Sequence, residues 1–262
     1  MRIWLTRILV LLTFSVFVQV AESAESDQAE DFLSVKARAE QGEADAQYEL
    51  ALLYDHGTDV EQNYAEAARW YAQAAQQGLI VAQYNLAQML RLGVGLEQDM
   101  QQALYWFMQA AEAGNDAQAQ FMLGELYRYG EGVVANQYEA FRWYILAAEQ
   151  SMAEAEYLTG IMIAEGSGAP ENDAMALRWL RKAAKQAYGD AFFGLGEMYQ
   201  RGEGIAMNLQ QAYVWYTAAA ELDVFRAAES RDLLAANLPA AQLLAAQTQA
   251  ERCIASAYQN CE

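Results

Sequence analysis

The stretch EAARWYAQAAQQG (residues 66–78) decides the fold, because the chain uses its pattern five times. It returns as QALYWFMQAAEAG at 102–114, EAFRWYILAAEQS at 139–151, MALRWLRKAAKQA at 175–187 and QAYVWYTAAAELD at 211–223. The tryptophans of the five copies stand 36, 37, 36 and 36 residues apart: Trp70, Trp106, Trp143, Trp179 and Trp215. Periods of this length indicate a stack of repeated supersecondary units.

The tryptophan stretch predicts a helix, which we name helix B. Positions are counted here from the tryptophan of each copy. Alanine stands at −3, an alanine pair at +4 and +5, and a large residue at +1, and these offsets share one helix face with the tryptophan. We therefore expect the tryptophans to lie in the core. Gly78 and Gly114 suit a left-handed helix end, whereas Ser151, Ala187 and Asp223 replace glycine and leave those ends open to another geometry. An Asn or Asp at −7 predicts the N-cap: Asn63, Asp99, Asn136, Asn172 and Asn208.

A second helix, helix A, precedes helix B in each copy. Alanine at −24, an aromatic at −22, a small residue at −19 and Leu or Met at −17 again recur at helical spacing. Helix A ends at a glycine (Gly57, Gly93, Gly130, Gly166, Gly202), and a second glycine follows two residues later in four copies, with Asp59 in the first. Because the Gly-x-Gly of these four copies follows a helix and not a strand, it indicates a turn and not a phosphate-binding loop.

The complete unit resembles a known repeat. AQYELALLYDHGTDVEQNYAEAARWYAQAAQQG (46–78) and AQFMLGELYRYGEGVVANQYEAFRWYILAAEQ (119–150) are similar to the Sel-one-like repeat (SLR) family, a relative of the tetratricopeptide repeat. The resemblance implies an all-α fold, a right-handed superhelical solenoid of antiparallel helix pairs whose concave surface holds protein or peptide partners. Two residues depart from the pattern: Asp59, where the other copies have glycine, and Thr159, where the other copies have leucine. Five copies are expected, at 44–78, 79–114, 115–150, 151–187 and 188–223.

The flanking segments are expected to cap the stack. Residues 24–43 form a linker and a capping helix, since DFLSVKARAEQG (31–42) resembles a helix B without its tryptophan. Residues 224–262 form C-terminal capping helices with Cys253 and Cys261, and many SLR proteins end in a similar way. On one helix these cysteines would be about 12 Å apart, too far for a disulfide. We therefore predict that the last helix ends near Ser256 and that the chain turns back to close the bond.

The first 23 residues have the layout of a signal peptide. Two arginines precede an uncharged apolar run at 8–20, and small residues follow, with cleavage expected after Ser23. Retention as an anchor is the alternative, but thirteen residues are short against the roughly 20 that span a bilayer. We expect an exported protein, periplasmic or secreted, with no stable membrane insertion after cleavage.

The acidic charge excludes some classes of partner. The formal net charge is −19, and removal of Arg2, Arg7 and Glu22 with the signal peptide changes it to −20. This sign disfavours binding to nucleic acid and to anionic membrane surfaces.

The sequence gives no positive sign of catalysis. His56 is the only histidine, and no cluster of residue types at metal-ligand spacing is present, so neither a metal nor a cofactor is expected. The predicted function is a non-catalytic protein–protein interaction scaffold or adaptor of the bacterial cell envelope. One alternative is weak β-lactam binding or hydrolysis, reported for exported SLR relatives that carry a cysteine pair in each repeat, a feature absent here. Another is a passive structural protein.

The candidate binding residues lie on helix A outside the repeated core. Positions −21, −18 and −14 change from copy to copy while the core positions stay fixed. The alternative is that Leu52, Met122 and Ile161 pack against the next repeat. The candidates for contact with a partner are Gln88, Leu92, Glu125, Tyr129, Ile161 and Glu197.

Overall fold

A computed structural model describes residues 32–262, and that part of the chain is helical with no strand. The prediction of an all-α helical-repeat fold is confirmed, while the predicted signal peptide lies outside the described residues. A first helix, α1, covers 32–40. The helix pairs that follow are α2 (Ala44–His56) and α3 (Tyr64–Gln76), α4 (Ile80–Leu92) and α5 (Met100–Met108), α6 (Ala117–Tyr129) and α7 (Gln137–Glu149), α8 (Ala153–Ala164) and α9 (Asp173–Lys185), and α10 (Gly189–Arg201) and α11 (Leu209–Glu221), before α12 (Ala227–Asn237) and α13 (Ala240–Ala255).

The chain divides into two compact units. The first ends at Ala110 and contains α1 to α5, and the second, from Ala111 to Glu262, contains α6 to α13. Within each unit, the even-numbered helices up to α10 are the A helices, and each is followed by its B helix.

The predicted N-caps are confirmed in all five B helices. The side-chain oxygens of Asn63, Asp99 and Asn136 accept hydrogen bonds from backbone N–H groups of the first turn, and so do those of Asn172 and Asn208. These bonds satisfy donors that have no partner inside the helix. One short side chain therefore fixes where each B helix begins.

One extra residue is absorbed by a π-helical turn. The interval after Trp106 is one residue longer than the others, and the segment Gln109–Ala113 is π-helical. A π turn accommodates a single insertion without ending the helix. The left-handed residue at the helix end consequently moves from Gly114 to Asn115, with φ 51°. Ser151, Ala187 and Asp223 are left-handed as well, so the ends without glycine keep the same geometry.

The second glycine of the turn is required by close packing between repeats. At Gly168, with φ 73°, an added Cβ would lie 2.1 Å from the carbonyl oxygen of Gln137, at the start of the preceding B helix. At Gly95 the corresponding distance, to the oxygen of Tyr64, is 2.2 Å. The first copy has no complete preceding pair, so only the left-handed backbone is needed there. Asp59, at φ 60°, satisfies that requirement.

The large residue at +1 forms the centre of each helix pair. Tyr71, Phe107, Tyr144, Leu180 and Tyr216 are all fully or almost fully buried. Trp143 is buried, as predicted, but Trp106 and Trp179 are only half-buried, so the expectation of a core tryptophan in every copy is wrong. The tryptophan position lies about 100° around the helix from +1, at the edge of the packed face. There the ammonium of Lys182 lies 3.8 Å from the ring centre of Trp179.

Buried glutamines join each A helix to the B helix before it. The side-chain amides of Gln47, Gln83 and Gln120 donate to the backbone carbonyls of Ala39, Ala75 and Ala111, at 3.2, 3.3 and 3.2 Å. The first of these bonds shows that α1 takes the place of a preceding B helix. Each accepting carbonyl lies in the last turn of its helix, and those of Ala39 and Ala75 also accept from the backbone N–H groups of Gly42 and Gly78, at 3.0 Å. We name the side chains at this position, −23, the junction residues.

A second amide completes the junction from the same repeat. Gln77 donates to the Gln47 oxygen at 2.7 Å, and Gln150 donates to the Gln120 oxygen at 2.8 Å. In the second copy Gly114 stands at the matching place after the π turn. The side-chain oxygen of Gln83 has no partner among the described residues, which is consistent with this missing amide.

The last two copies change the junction residue. In the fourth copy it is Glu156, which is buried and accepts from the Gln186 amide at 2.8 Å. In the fifth it is Phe192, and the partner position is Leu222, so both polar groups are replaced by apolar ones. The Phe192 ring packs on Trp215 and on Tyr258 of the C-terminal cap. The polar junctions therefore end where the cap covers the stack.

The C-terminal cap closes with the predicted disulfide. Helix α13 ends at Ala255, and Ala257 and Tyr258 adopt positive φ, which reverses the chain direction. Cys253 and Cys261 are bonded, with Cα atoms 4.4 Å apart. The prediction of a helix end near Ser256 and a Cys253–Cys261 bond is confirmed.

Replacement of the second glycine tests the close packing of repeats. Gly168→Ala and Gly166→Ala both place a side chain at positive φ, but the Cβ at Gly166 would have 3.5 Å to its nearest neighbour. We expect Gly168→Ala to lower the free energy of unfolding by at least about 2 kcal/mol more than Gly166→Ala, because only the Cβ added at position 168 would clash with backbone atoms. Urea unfolding followed by circular dichroism measures both. Equal losses would contradict the packing.

Replacement of the junction carboxylate tests the role of the buried amides. Burial raises the pKa of Glu156 above its ordinary value, against the opposing effects of Gln186 and Lys182. The folded chain therefore binds this proton more tightly than the unfolded chain, and stability falls as pH rises through the folded pKa. We expect Glu156→Gln to be more stable than wild type by about 1 kcal/mol near pH 7, with the gain lost below about pH 4. Urea melts at both pH values measure this.

The exposed carboxylate Glu149 at the end of α7 provides the control for this comparison. Glu149→Gln is expected to leave the unfolding free energy within about 0.5 kcal/mol of wild type. A Glu156→Gln variant that is no more stable than wild type at neutral pH would show that the buried charge of Glu156 does not destabilise this junction.

Candidate partner-binding surface

In the first unit, the two candidates on α4 differ in their availability. The side chain of Leu92, in the last turn, is 58% exposed. Gln88 is half-buried and occupied locally, since its amide donates to the Tyr84 hydroxyl at 3.0 Å and its oxygen accepts from Arg91 Nε at 3.0 Å. Leu92 is therefore free for contact with a partner, whereas Gln88 would first have to give up internal hydrogen bonds.

In the second unit, α6 carries one internal and one exposed candidate. The carboxylate of Glu125 accepts a hydrogen bond from the hydroxyl of buried Tyr144. Burial raises the pKa of Tyr144, and Glu125 raises it further, so the hydroxyl remains a donor at neutral pH. Tyr129 is 62% exposed, with the guanidinium of Arg128 5.3 Å from its ring centre. Only Tyr129 offers a large apolar surface to solvent.

The structure brings two of the predicted residues into one pocket. Ile161 of α8 and Glu197 of α10 line a pocket of ≈ 230 Å³ in the second unit. Ile161 is half-buried and packs against the buried residues around α9 to α11. Met122 is half-buried in the same way, against the cluster around Tyr144, and Leu52 is half-buried too. The packing alternative thus holds in part, although Ile161 still contributes a pocket wall.

An acidic and aromatic group on α8 and α10 was missed from the sequence. The rings of Tyr157 and Tyr188 lie 5.4 Å apart. Burial raises the pKa of Glu154, and the charges of Glu125 and Asp190 raise it further. The pKa of Tyr157 is raised mainly by burial and then by Asp190 and Glu197. These shifts show carboxylates concentrated around the two rings.

The available signal for this group was the acidic residue at −25 in the last two copies. Glu154 and Asp190 occupy that position, where the second and third copies have Val81 and Gln118. Tyr157 occupies the repeated aromatic position at −22. In the structure its ring is only half-buried and faces the acidic neighbours.

The described residues show little that points to metal or acid–base chemistry. Within residues 32–262, no group of three or more His, Cys, Asp or Glu side chains could hold a metal ion. His56 is exposed at the end of α2. No helix in this range is long and apolar enough to span a bilayer.

Comparison with known proteins places these features in a family. The Sel1 repeat model matches residues 44–79, 80–115, 117–152, 153–188 and 190–224. The chain belongs to the Sel1 repeat family. Proteins of this family are generally interaction scaffolds and are typically non-catalytic.

Two solved structures illustrate the likeness. A Sel1 repeat protein from Oxalobacter formigenes is 30% identical to this chain, with a TM-score of 0.66, over 74% of this chain and 84% of its own. The protein c5321, a protective antigen of uropathogenic Escherichia coli strains with an SLR fold, is 26% identical over 86% of this chain and 64% of its own, with a TM-score of 0.40. Comparison with curated proteins gives no match.

Proposed function

We propose that this Sel1 repeat protein is a non-catalytic scaffold of the bacterial cell envelope that holds a protein or peptide partner on solvent-exposed positions of its A helices. The observation that carries the proposal is the exposure of large apolar side chains at one repeat position, −14. Leu92 and Tyr129 both occupy it, in a fold whose core positions are otherwise buried. Exposed apolar side chains with polar neighbours are typical of surfaces that bind other proteins.

The variation at this position supports binding rather than packing. Position −14 holds His56, Leu92, Tyr129, Glu165 and Arg201 in the five copies. Three of these, His56, Glu165 and Arg201, are polar or charged, and all five are exposed. A position that served only to join repeats would be expected to repeat its residue type, as the junction glutamines largely do. Variation on a constant scaffold is how a repeat protein acquires a specific binding surface.

The envelope location is supported by two features of the chain. The Cys253–Cys261 disulfide is typical of proteins that fold outside the reducing cytoplasm. The arrangement of arginines, apolar run and small residues at 1–23 is that of an export signal. Together they support folding in an oxidising compartment such as the periplasm.

Replacing the apolar side chains at position −14 by a charged one tests the proposed surface. We expect Leu92→Glu and Tyr129→Glu, made separately, each to reduce capture of the wild-type partner at least about tenfold, because each change removes an apolar contact and costs the desolvation of a carboxylate in the interface. Capture is measured by crosslinking the tagged chain in the periplasm and quantifying by mass spectrometry the proteins that wild type enriches. Melting by circular dichroism is expected to stay near wild type.

Tyr138 provides a matched control on the other helix type. It is 64% exposed in the first turn of α7, a B helix, so Tyr138→Glu makes the same change outside the proposed surface. Capture is expected to survive this change. Loss of capture by Tyr138→Glu, or retention by both Leu92→Glu and Tyr129→Glu, would rule out position −14 of the A helices as the binding surface.

A further inference from the structure

The pocket between α8 and α10 has an apolar floor. Ile161, Leu180 and Met198 contribute side chains from α8, α9 and α10, and the volume is ≈ 230 Å³. We name it the α8–α10 pocket. It lies on the A helices of the second unit, the same helix type that carries Tyr129. A volume of this size accommodates one long side chain of a partner rather than a whole segment.

The pocket exists because the fifth copy has glycine at position −21. Gly194 occupies this place, whereas the other copies have Glu49, Asn85, Met122 and Leu158. A Cβ on Gly194 would lie 3.3 Å from Leu180 Cδ1 and 3.8 Å from Ile161 Cδ1. Any longer side chain would therefore occupy the pocket. Gly194 is within a helix, where glycine is less favourable than alanine, and the 3.3 Å contact with Leu180 shows how little room a side chain has there.

The rim of the pocket is strongly negative. Glu165, Glu171 and Asp173 line it, and within residues 32–262 none of the three lies within ion-pair distance of a basic side chain. Arg201 is the one basic residue in the lining. Its guanidinium is already engaged by Glu197, at 2.8 Å, and by Glu203, at 3.8 Å. The three remaining carboxylates face the opening without a counter-charge.

We propose that the α8–α10 pocket receives a lysine or arginine side chain of the partner, which therefore presents a basic segment to this surface. The methylenes of such a side chain pack on Ile161, Leu180 and Met198, and its cation meets Glu165, Glu171 and Asp173. This inference rests on the proposed function, since it names the chemistry of the segment that the A helices bind. An apolar floor with an acidic rim matches a long cationic side chain better than a neutral or anionic one.

The surroundings favour the same occupant. Burial raises the pKa of Tyr188, and the charges of Glu154, Asp190 and Glu125 raise it further, while its ring lies 5.4 Å from that of Tyr157. Half-exposed aromatic rings among carboxylates attract further cations by their faces. The net charge of −19 adds long-range attraction for a basic segment and repels acidic ones.

The test compares two capped peptides that differ only in charge. One carries two lysines separated by a leucine, between glycine and serine residues, and the other has norleucine in place of each lysine. Binding to the full-length chain is followed at low salt by the methyl NMR signals of Ile161 and Met198. We expect saturable shifts with the lysine peptide, at least about tenfold weaker binding of the norleucine peptide, and weaker binding in about 0.5 M salt.

Two kinds of variant place the effect in the pocket. Gly194→Leu, which restores the residue type of Leu158, fills the pocket, and Glu165→Gln with Glu171→Gln removes charge at constant volume. Each is expected to weaken binding of the lysine peptide at least about tenfold, while Glu149→Gln on α7 leaves it unchanged. Circular-dichroism melts check folding, and the double glutamine variant decides the matter if Gly194→Leu does not fold.

Equal binding of the two peptides, absence of saturable shifts, or unchanged binding in the double glutamine variant would overturn this inference. Failure here is distinct from failure of the proposed scaffold function. If partner capture depends on Tyr129 but neither Gly194→Leu nor the double variant affects it, the scaffold stands and the basic segment is wrong. If both pocket variants reduce partner capture together with peptide binding, the inference holds.

Discussion

Consecutive repeats meet where the turn of one lies directly against the first turn of the B helix before it. At Gly168 and Gly95 that approach leaves no room even for a Cβ. It matters because a single pair of helices cannot bury its own apolar faces, so each pair depends on its neighbour. The junction amides act at the other end of the same contact, where Gln120 pairs a carbonyl at a helix end. Together these two contacts fix how consecutive pairs stack. The residue types at the exposed positions of the A helices are left free to vary.

Much of the fold was predictable because the decisive chemistry is local and repeated. An Asn at −7 caps a helix through its own backbone neighbours, and a glycine at the end of helix A needs only its own φ. The disulfide followed from the geometry of two cysteines eight residues apart. The π turn was visible only as one interval of 37 residues, and the residues that absorb the insertion depend on packing. The left-handed Ala187 was unexpected because the tertiary fold overrides its local preference.

The candidate surface was less accessible from the sequence. Periodicity separated core from variable positions, and it led to Leu92 and Tyr129, which are exposed. It could not show that Gln88 and Glu125 are occupied by internal hydrogen bonds, because those bonds come from side chains in other turns or helices. The role of Gly194 likewise depends on tertiary packing, which the sequence does not show. Its missing side chain becomes a pocket only when Leu180 of the preceding B helix lies beside it.

The central claim is that the A helices of the second unit bind a partner on a scaffold that does not rearrange. Hydrogen–deuterium exchange of the full-length chain, alone and saturated with the lysine peptide, tests this most directly. The account predicts slower exchange in α8, in α10 and at the start of α9, with α11 unchanged, because the peptide contacts one side of a preformed stack. Protection that appears instead in α11, or that spreads over every helix of the unit, would contradict it.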